Sequence, residues 1–338
     1  MSDPRYFSPP RALPIQPDPE LPEIQDIEYG RRATSPADIP MRGWRQVIRR
    51  TYREVSSDRI NLVAAGCAFW ATLALFPAIS TLISIYGIVF DPLTVEPQLE
   101  GIREFVPPAA FALIADRVHS LVLRPTSSLG LTALFTTAIT LWSTATGMKS
   151  MISALNLAYE EREKRSILRF QLVGLAMTLC AIIGAALGLT LLVFLPVAIG
   201  FVGLSAYNKV LVQGGSLALL VLFVALALSL LYRYGPCRRA ARWKWVTPGS
   251  LLATALWLIA SVLFSYYVGH LASYDATYGP LGAVAGVMVW FWVSAYVVLL
   301  GAELNAELEL QTSRDTTEGP PRPIGRRGAY VADHVAKE

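Results

Sequence analysis

The side chains able to do chemistry are few and scattered. His119, His270 and His334 lie in a loop, at the end of an apolar stretch and in the C-terminal tail. They cannot assemble a His-rich metal centre. Cys67, Cys180 and Cys237 have neither metal nor redox spacing. The chain has no GxSxG, no phosphate-cradling GxxxxGK[ST] and no HExxH. The expectation is a protein without metal, cofactor or catalytic residue, and so not an enzyme. What remains is polarity inside apolar stretches. Thr132, Thr136 and Thr140 recur at i, i+4, and Ser143 and Gly147 continue their face. Lys149 and Asn156 follow, and Glu303 and Asn305 close the last stretch. A polar face in hydrocarbon must meet protein or a water-filled cavity. One reading is helix packing, with hydroxyls bonded to carbonyls of the preceding turn. The other is a solute path of Thr136, Thr140, Ser143, Lys149, Asn156, Glu303 and Asn305. Glu303 also has two readings: an interfacial carboxylate paired with a basic loop, or a partly buried acid facing the bundle with Asn305 and Lys149, gating or carrying protons.

The elements that must position these residues are long and apolar. Of 338 residues 54% are hydrophobic and 16% charged, against about 25% charged in a soluble domain. The chain therefore reads as an all-α polytopic membrane protein. Six crossings are predicted at about 62–90, 129–156, 170–196, 210–232, 248–268 and 281–301. The last is uncharged from Leu281 to Gly301, long enough for a roughly 30 Å hydrocarbon core at about 1.5 Å per residue. Pro77 predicts a kink or break in the first crossing. Gly147 predicts close packing in the second, and Gly279, Gly282 and Gly286 a close-packed entry to the sixth. Thr247-Pro248 reads as the N-cap and first residue of the fifth helix. Phe111, Ile114, Val118 and Leu121 predict a short amphipathic helix in the loop before crossing two. Residues 1–40, rich in Pro, and 311–338 read as disordered tails around a membrane domain over 41–310. Met41 to Asn61 alternates Trp44, Val47, Ile48, Tyr52 and Val55 with arginines, which suits a helix lying on an anionic leaflet.

Basic residues set the orientation. Of the 29 Lys and Arg, 24 fall on the side of the two tails and four on the opposite side. The positive-inside rule then puts both termini in the cytoplasm, as an even number of crossings also requires. Membrane segments account for the net charge of +4, so nucleic acid is not an expected partner. Membrane lipids are. Protein partners are unspecified, and a homo-oligomer is compatible with the sequence.

Four ordered stretches carry a family resemblance. SYYVGHLASYDATYGPLGAVAGVMVWFWVSAYVVLLGAELNAE (Ser265–Glu307) resembles the C-terminal signature of the YihY/BrkB inner-membrane family. AAGCAFWATLALFPAIS (Ala64–Ser80) is similar to its first-helix motif, with Cys67 and Trp70 departing from the usual residues. SALNLAYEEREKRS (Ser153–Ser166) and LYRYGPCRRAARWKWVTPG (Leu231–Gly249) resemble its two basic-loop segments. The resemblance covers about residues 45–310. It implies a six-helix inner-membrane protein linked with envelope integrity and serum resistance. The family's older label, ribonuclease BN, implies a nuclease; the His/Asp set that such chemistry needs is missing here. The function expected is transport or handling of a lipid or other amphipathic envelope component. The alternative is a non-transporting scaffold of an envelope complex.

Overall fold

The computed structural model describes residues 28–89, 131–200, 206–270 and 280–336. Among them the chain is all-helical, with one isolated bridge between Ala241 and Thr317 and no strand. The helices are α1 (Met41–Ser57), α2 (Ile60–Val89), α3 (Leu131–Ala158), α4 (Ile167–Gly200), α5 (Ala206–Tyr234), α6 (Trp243–His270), α7 (Pro280–Leu310) and the short α8 (Tyr330–Asp333). Helices α2 to α7 run 28 to 34 residues each. They fall on the apolar stretches, where nothing but intrahelical bonding can satisfy the backbone in hydrocarbon. Among the described residues, Ile167–Gly184, Trp243–Tyr267 and Val284–Leu310 are long and apolar enough to cross a membrane. Their outward faces carry exposed Leu172, Ile183, Ile259, Val262, Leu263 and Val289, as lipid contact requires.

Each of these helices packs on its sequence neighbour from α2 to α6, and α7 closes the set by packing on α6, α2 and α3. Helix α1 and the short α8 lie against α7 as well. Close approach is sequence-encoded at two seams. A methyl placed on Gly147 would stand 3.2 Å from the Ala74 methyl and 3.4 Å from the Ala71 Cα, so α2 and α3 touch there as Gly147 predicts. A methyl on Gly249 of α6 would run into the Gly301 carbonyl of α7, and one on Gly301 into Ala253 and the Tyr232 hydroxyl. By contrast, Gly286 faces open space, so it is not a close-packing position. Gly279 and the predicted helix around Phe111–Leu121 lie outside the described residues, as do the side-chain surroundings of Gly282.

Several expectations are corrected. Helix α2 continues through Pro77, so of the kink or break expected there the break does not occur. Helix α6 begins at Trp243, which places Pro248 inside it and not at its first position. A proline there supplies no N–H and crowds the carbonyl of Lys244; α7 braces the backbone on either side of it, as described below. Helix α1 is not simply a surface helix. It exposes Met41, Ile48 and Tyr52, yet packs on α7 with Arg50 buried there, and buries Gly43 against Tyr29 and Ile39.

The two segments read as disordered are ordered wherever they are described. Residues 28–40 form turns and a 3-10 helix at Pro36–Asp38, with Ala33 and Ile39 buried beside Val47, Trp245, Leu304 and Leu308. Burial of such side chains contributes roughly 1.5–3 kcal/mol each, which lets a helix as short as α1 persist. Residues 311–336 fold back over the helix ends. Ala336 N–H bonds the Leu310 carbonyl at 2.9 Å, and Arg239 N–H bonds the Gly328 carbonyl at 2.8 Å. Arg327 is buried and donates to the carbonyls of Arg322, Ala332 and Ser313. The tail's low hydrophobicity hides this, because its order comes from side-chain bonds to distant carbonyls.

Candidate functional site

Past Gly301, helix α7 reads AELNAELEL, and every residue from Gly301 to Leu310 is buried. Positions four apart share a face, so this run presents two polar pairs. Glu303 and Glu307 look toward α1 and the corner joining it to α2. Asn305 and Glu309 look toward α6 and the loop before it.

The second pair is fully engaged. The Asn305 amide accepts the Gly249 N–H at 2.8 Å and donates to the Val246 carbonyl at 3.1 Å. It thereby braces the α6 backbone on both sides of Pro248. Glu309 accepts from Arg238 at 2.6 Å and from the Thr316 hydroxyl at 2.6 Å. Both side chains of that ion pair are wholly buried, and the Arg238 guanidinium lies 4.2 Å over the Tyr159 ring.

The first pair is divided. Glu307 accepts from Arg50 Nε at 2.5 Å, and the same guanidinium reaches Gln311 at 2.7 Å. Glu303 is 2% exposed, and its Oε1 has no hydrogen-bond partner. Its side-chain neighbour is the Asp58 carboxyl, close enough for the two to share a proton. The charges that act on it most are carboxylates: Asp58, Glu307, Glu54 and Glu160. Asp58 comes from the α1–α2 corner and Glu160 from the turn after α3, so three elements meet here. Burial, then the charge of Glu54, pushes the Asp58 carboxyl up to about 6. Burial, then the charge of Asp58, pushes Glu160 up to about 7. Glu160 Oε2 is also buried without a partner. Among the described residues the only non-glycine positions with positive φ are Arg59 (50°) and Glu160 (52°). Both sit at this cluster, where the left-handed backbone costs about 1–3 kcal/mol each.

The sequence-predicted residues part company. Glu303 is not paired with a basic loop: it sits among acids. Asn305 braces α6. Asn156 is buried and clamps two loops, accepting the Cys237 N–H at 2.7 Å and donating to Glu163 at 3.0 Å. Lys149 lies toward α4, its stem 2.6 Å from where a methyl on Gly174 would stand and its Nζ 5.7 Å from the Trp142 ring. Thr140 is half-buried, and its carbonyl accepts the Thr144 hydroxyl at 2.9 Å. Ser143 is exposed. Thr136 lies in the first turns of α3, whose side-chain surroundings fall outside the described residues. Sequence reasoning missed Asp58, Glu160, Arg50 and Arg238. For Arg50 the i, i+4 spacing of Val47 and Thr51 around it was an available sign; for the other three there was none.

Ser143 belongs to a second feature. Ser143, Thr146, Ser150 and Ser153 stand at i, i+3, i+7 and i+10 on α3, and all are exposed or half-buried. The stripe runs along the seam with α2, where Ser150 lies 3.6 Å from Cys67. There the Trp70 carbonyl of α2 lies 3.5 Å from where a methyl on Gly147 would stand, and the Trp70 ring is exposed.

Such an arrangement defines a class: a helical membrane protein whose polar residues gather at one end of the bundle and along one seam. The chain belongs to the virulence factor BrkB family, whose model matches residues 51–324. It is similar to the "Putative ribonuclease-like protein YfkH" of Bacillus subtilis, 31% identical over 254 residues, 72% of this chain and 88% of that one. It is also similar to a "UPF0761 membrane protein" of Tolumonas auensis, 28% identical over 81% of this chain and 89% of that one. A UPF0761 membrane protein of Alkalilimnicola ehrlichii is 29% identical over 80% of this chain and 60% of its own length. No solved structure matches the chain. The family is one of membrane proteins and not a known enzyme family. Among the described residues no group of three or more His, Cys, Asp or Glu is placed to hold a metal ion.

Proposed function

We propose that the protein resides in the bacterial inner membrane with both termini cytoplasmic, serves envelope integrity, and moves or handles a lipid or other amphipathic envelope component. The observation that carries this reading is the α2–α3 seam. Hydroxyls at Ser143, Thr146 and Ser150 run down α3, with the exposed Trp142 one turn before Thr146 and the exposed Trp70 of α2 at the Gly147 contact. A surface with polar and aromatic strips side by side suits a molecule with a head group and a hydrocarbon tail. Pure hydrocarbon contact gives no reason for the hydroxyls. A non-transporting scaffold is the alternative, and the Thr144 bond to the preceding turn supports it. The test is Ser143→Leu combined with Thr146→Val in a strain lacking the chromosomal copy, with the lipid composition of each leaflet measured. Our reading expects the variant to accumulate in the membrane while leaflet composition matches that of the deletion strain. Wild-type composition would reduce the stripe to packing and favour the scaffold.

A further inference from the structure

We propose that Asp58, Glu160 and Glu303 form a proton-binding site whose occupancy decides whether the α1–α2 corner stays docked on α7. The inference stands apart from the amphipathic seam and uses different residues. Two carboxyl groups side by side out of water hold together when one proton lies between them, and the Asp58 carboxyl neighbours that of Glu303, which is buried with an unpartnered oxygen. Remove the proton, and two anions face each other with no cation bonded to either.

No counter-charge is bonded to the site. From α1 the groups facing the site are Glu54, Arg50 and Arg53. Arg50 is held by Glu307 and Gln311, and Arg53 acts on Glu307. From α7 itself comes Glu307, already paired. From the end of α3 come Tyr159 and Glu160. The nearby Arg238 is bonded to Glu309. From α6 the contacts are backbone groups taken by Asn305. From α8 the Tyr330 hydroxyl reaches Glu160; no cation is bonded to the trio, and among the described residues the acids are not set out as a metal site. Glu303 is buried with one oxygen aimed at no donor, so the ligand that fits is one bound by a single oxygen pair in almost no space. That ligand is a proton. It is taken up from and returned to the water on the side of the tails, and Asp58 and Glu160, both half-buried, are more open to that water than Glu303. Left-handed backbone at Arg59 and Glu160 puts strain on both sides of the contact, which makes undocking easier when the proton leaves.

The test uses the full chain in phosphatidylcholine nanodiscs, with its three native cysteines replaced by alanine. Spin labels go on Tyr52→Cys of α1 and Val289→Cys of α7, both exposed positions, and the distance distribution is measured at pH 5 and pH 8. The expected result is a single population at pH 5 and a second, longer-distance population at pH 8. Glu303→Gln and Asp58→Asn, each introduced separately, should both hold the pH 5 distribution at pH 8, since a neutral amide keeps the hydrogen bond without the charge. Two separate substitutions keep the test decisive if one fails to fold. A wild-type distribution unchanged by pH overturns the proposal. So does a pH response that survives in a folded variant.

Discussion

Glu303 and Glu307 stand one helical turn apart on α7 and are both buried, yet they live under opposite conditions. Glu307 has Arg50 against it, as Glu309 further along has Arg238. Glu303 has other acids. Burial alone therefore does not set the role of a carboxylate; its partners do. A buried charge with a bonded counter-charge is a fastener, because removing one partner strands the other in low dielectric. A buried acid without one must keep its proton or move. One end of one helix holds both kinds, and they can be told apart by substitution.

The largest effect is expected at the fastener. Arg238→Ala leaves Glu309 buried and unpaired, uncovers the Tyr159 ring and should cost about 3–5 kcal/mol. Thermal unfolding of the purified protein should show a strong drop or no folded protein at all. Glu303→Gln should be neutral or stabilising by the same measurement. The contrast between the two kinds of acid breaks if Glu303→Gln destabilises as much as Arg238→Ala does.

A middle-sized effect is expected where α7 is fixed to α6. Gly301→Ala drives a methyl toward Ala253 and the Tyr232 hydroxyl, and Tyr232 is itself held at 2.7 Å to the Val298 carbonyl. Overpacking of this kind costs about 1–3 kcal/mol. The loss should be the same at pH 5 and pH 8, because no titrating group takes part. A pH-dependent loss would tie this seam to the acids and blur the division between a fixed and a responsive face of α7.

Much of the fold is legible in the sequence because it follows from hydropathy. Each predicted apolar stretch lies within a helix or within a few residues of its ends, as with 281–301 inside Pro280–Leu310. The site is less legible because its logic is non-local. Glu303 is conspicuous as the first acid after an uncharged run, but its neighbours Asp58 and Glu160 lie far off in the chain and carry no local signal. Arg50 looked like one basic residue among several in an amphipathic helix; only packing singles it out. Pro248 read as a helix start because proline inside a helix is costly. The sequence window could not show that Asn305, 57 residues on, would brace the backbone around it. The C-terminal tail misled for the same reason: Arg327 and Arg239 order it through carbonyls, which composition does not register.

The smallest expected effect is the most informative about the responsive face. In the fold Asp58 is raised from 3.8 to about 6 and Glu160 from 4.5 to about 7, in each case first by burial. A raised pKa means that the folded state holds protons the unfolded chain has released. The stability contributed is complete below the unfolded values and is lost as pH rises through the folded ones. The protein should therefore become less stable between about pH 5 and pH 8. Asp315 does not compete in that window. Burial works against its ionisation, but the Thr317 hydroxyl and the backbone N–H groups of Thr317 and Arg322 outweigh it and hold its carboxyl below the usual range. Glu160→Gln removes one titrating group and relieves Asp58 of a neighbouring charge. Its unfolding temperature, followed across pH 5 to 8, should fall less steeply than that of the wild type and should meet the wild-type value at the acid end. Equal slopes would mean that these acids are already satisfied at neutral pH, and the difference between Glu303 and Glu307 would then be one of geometry alone.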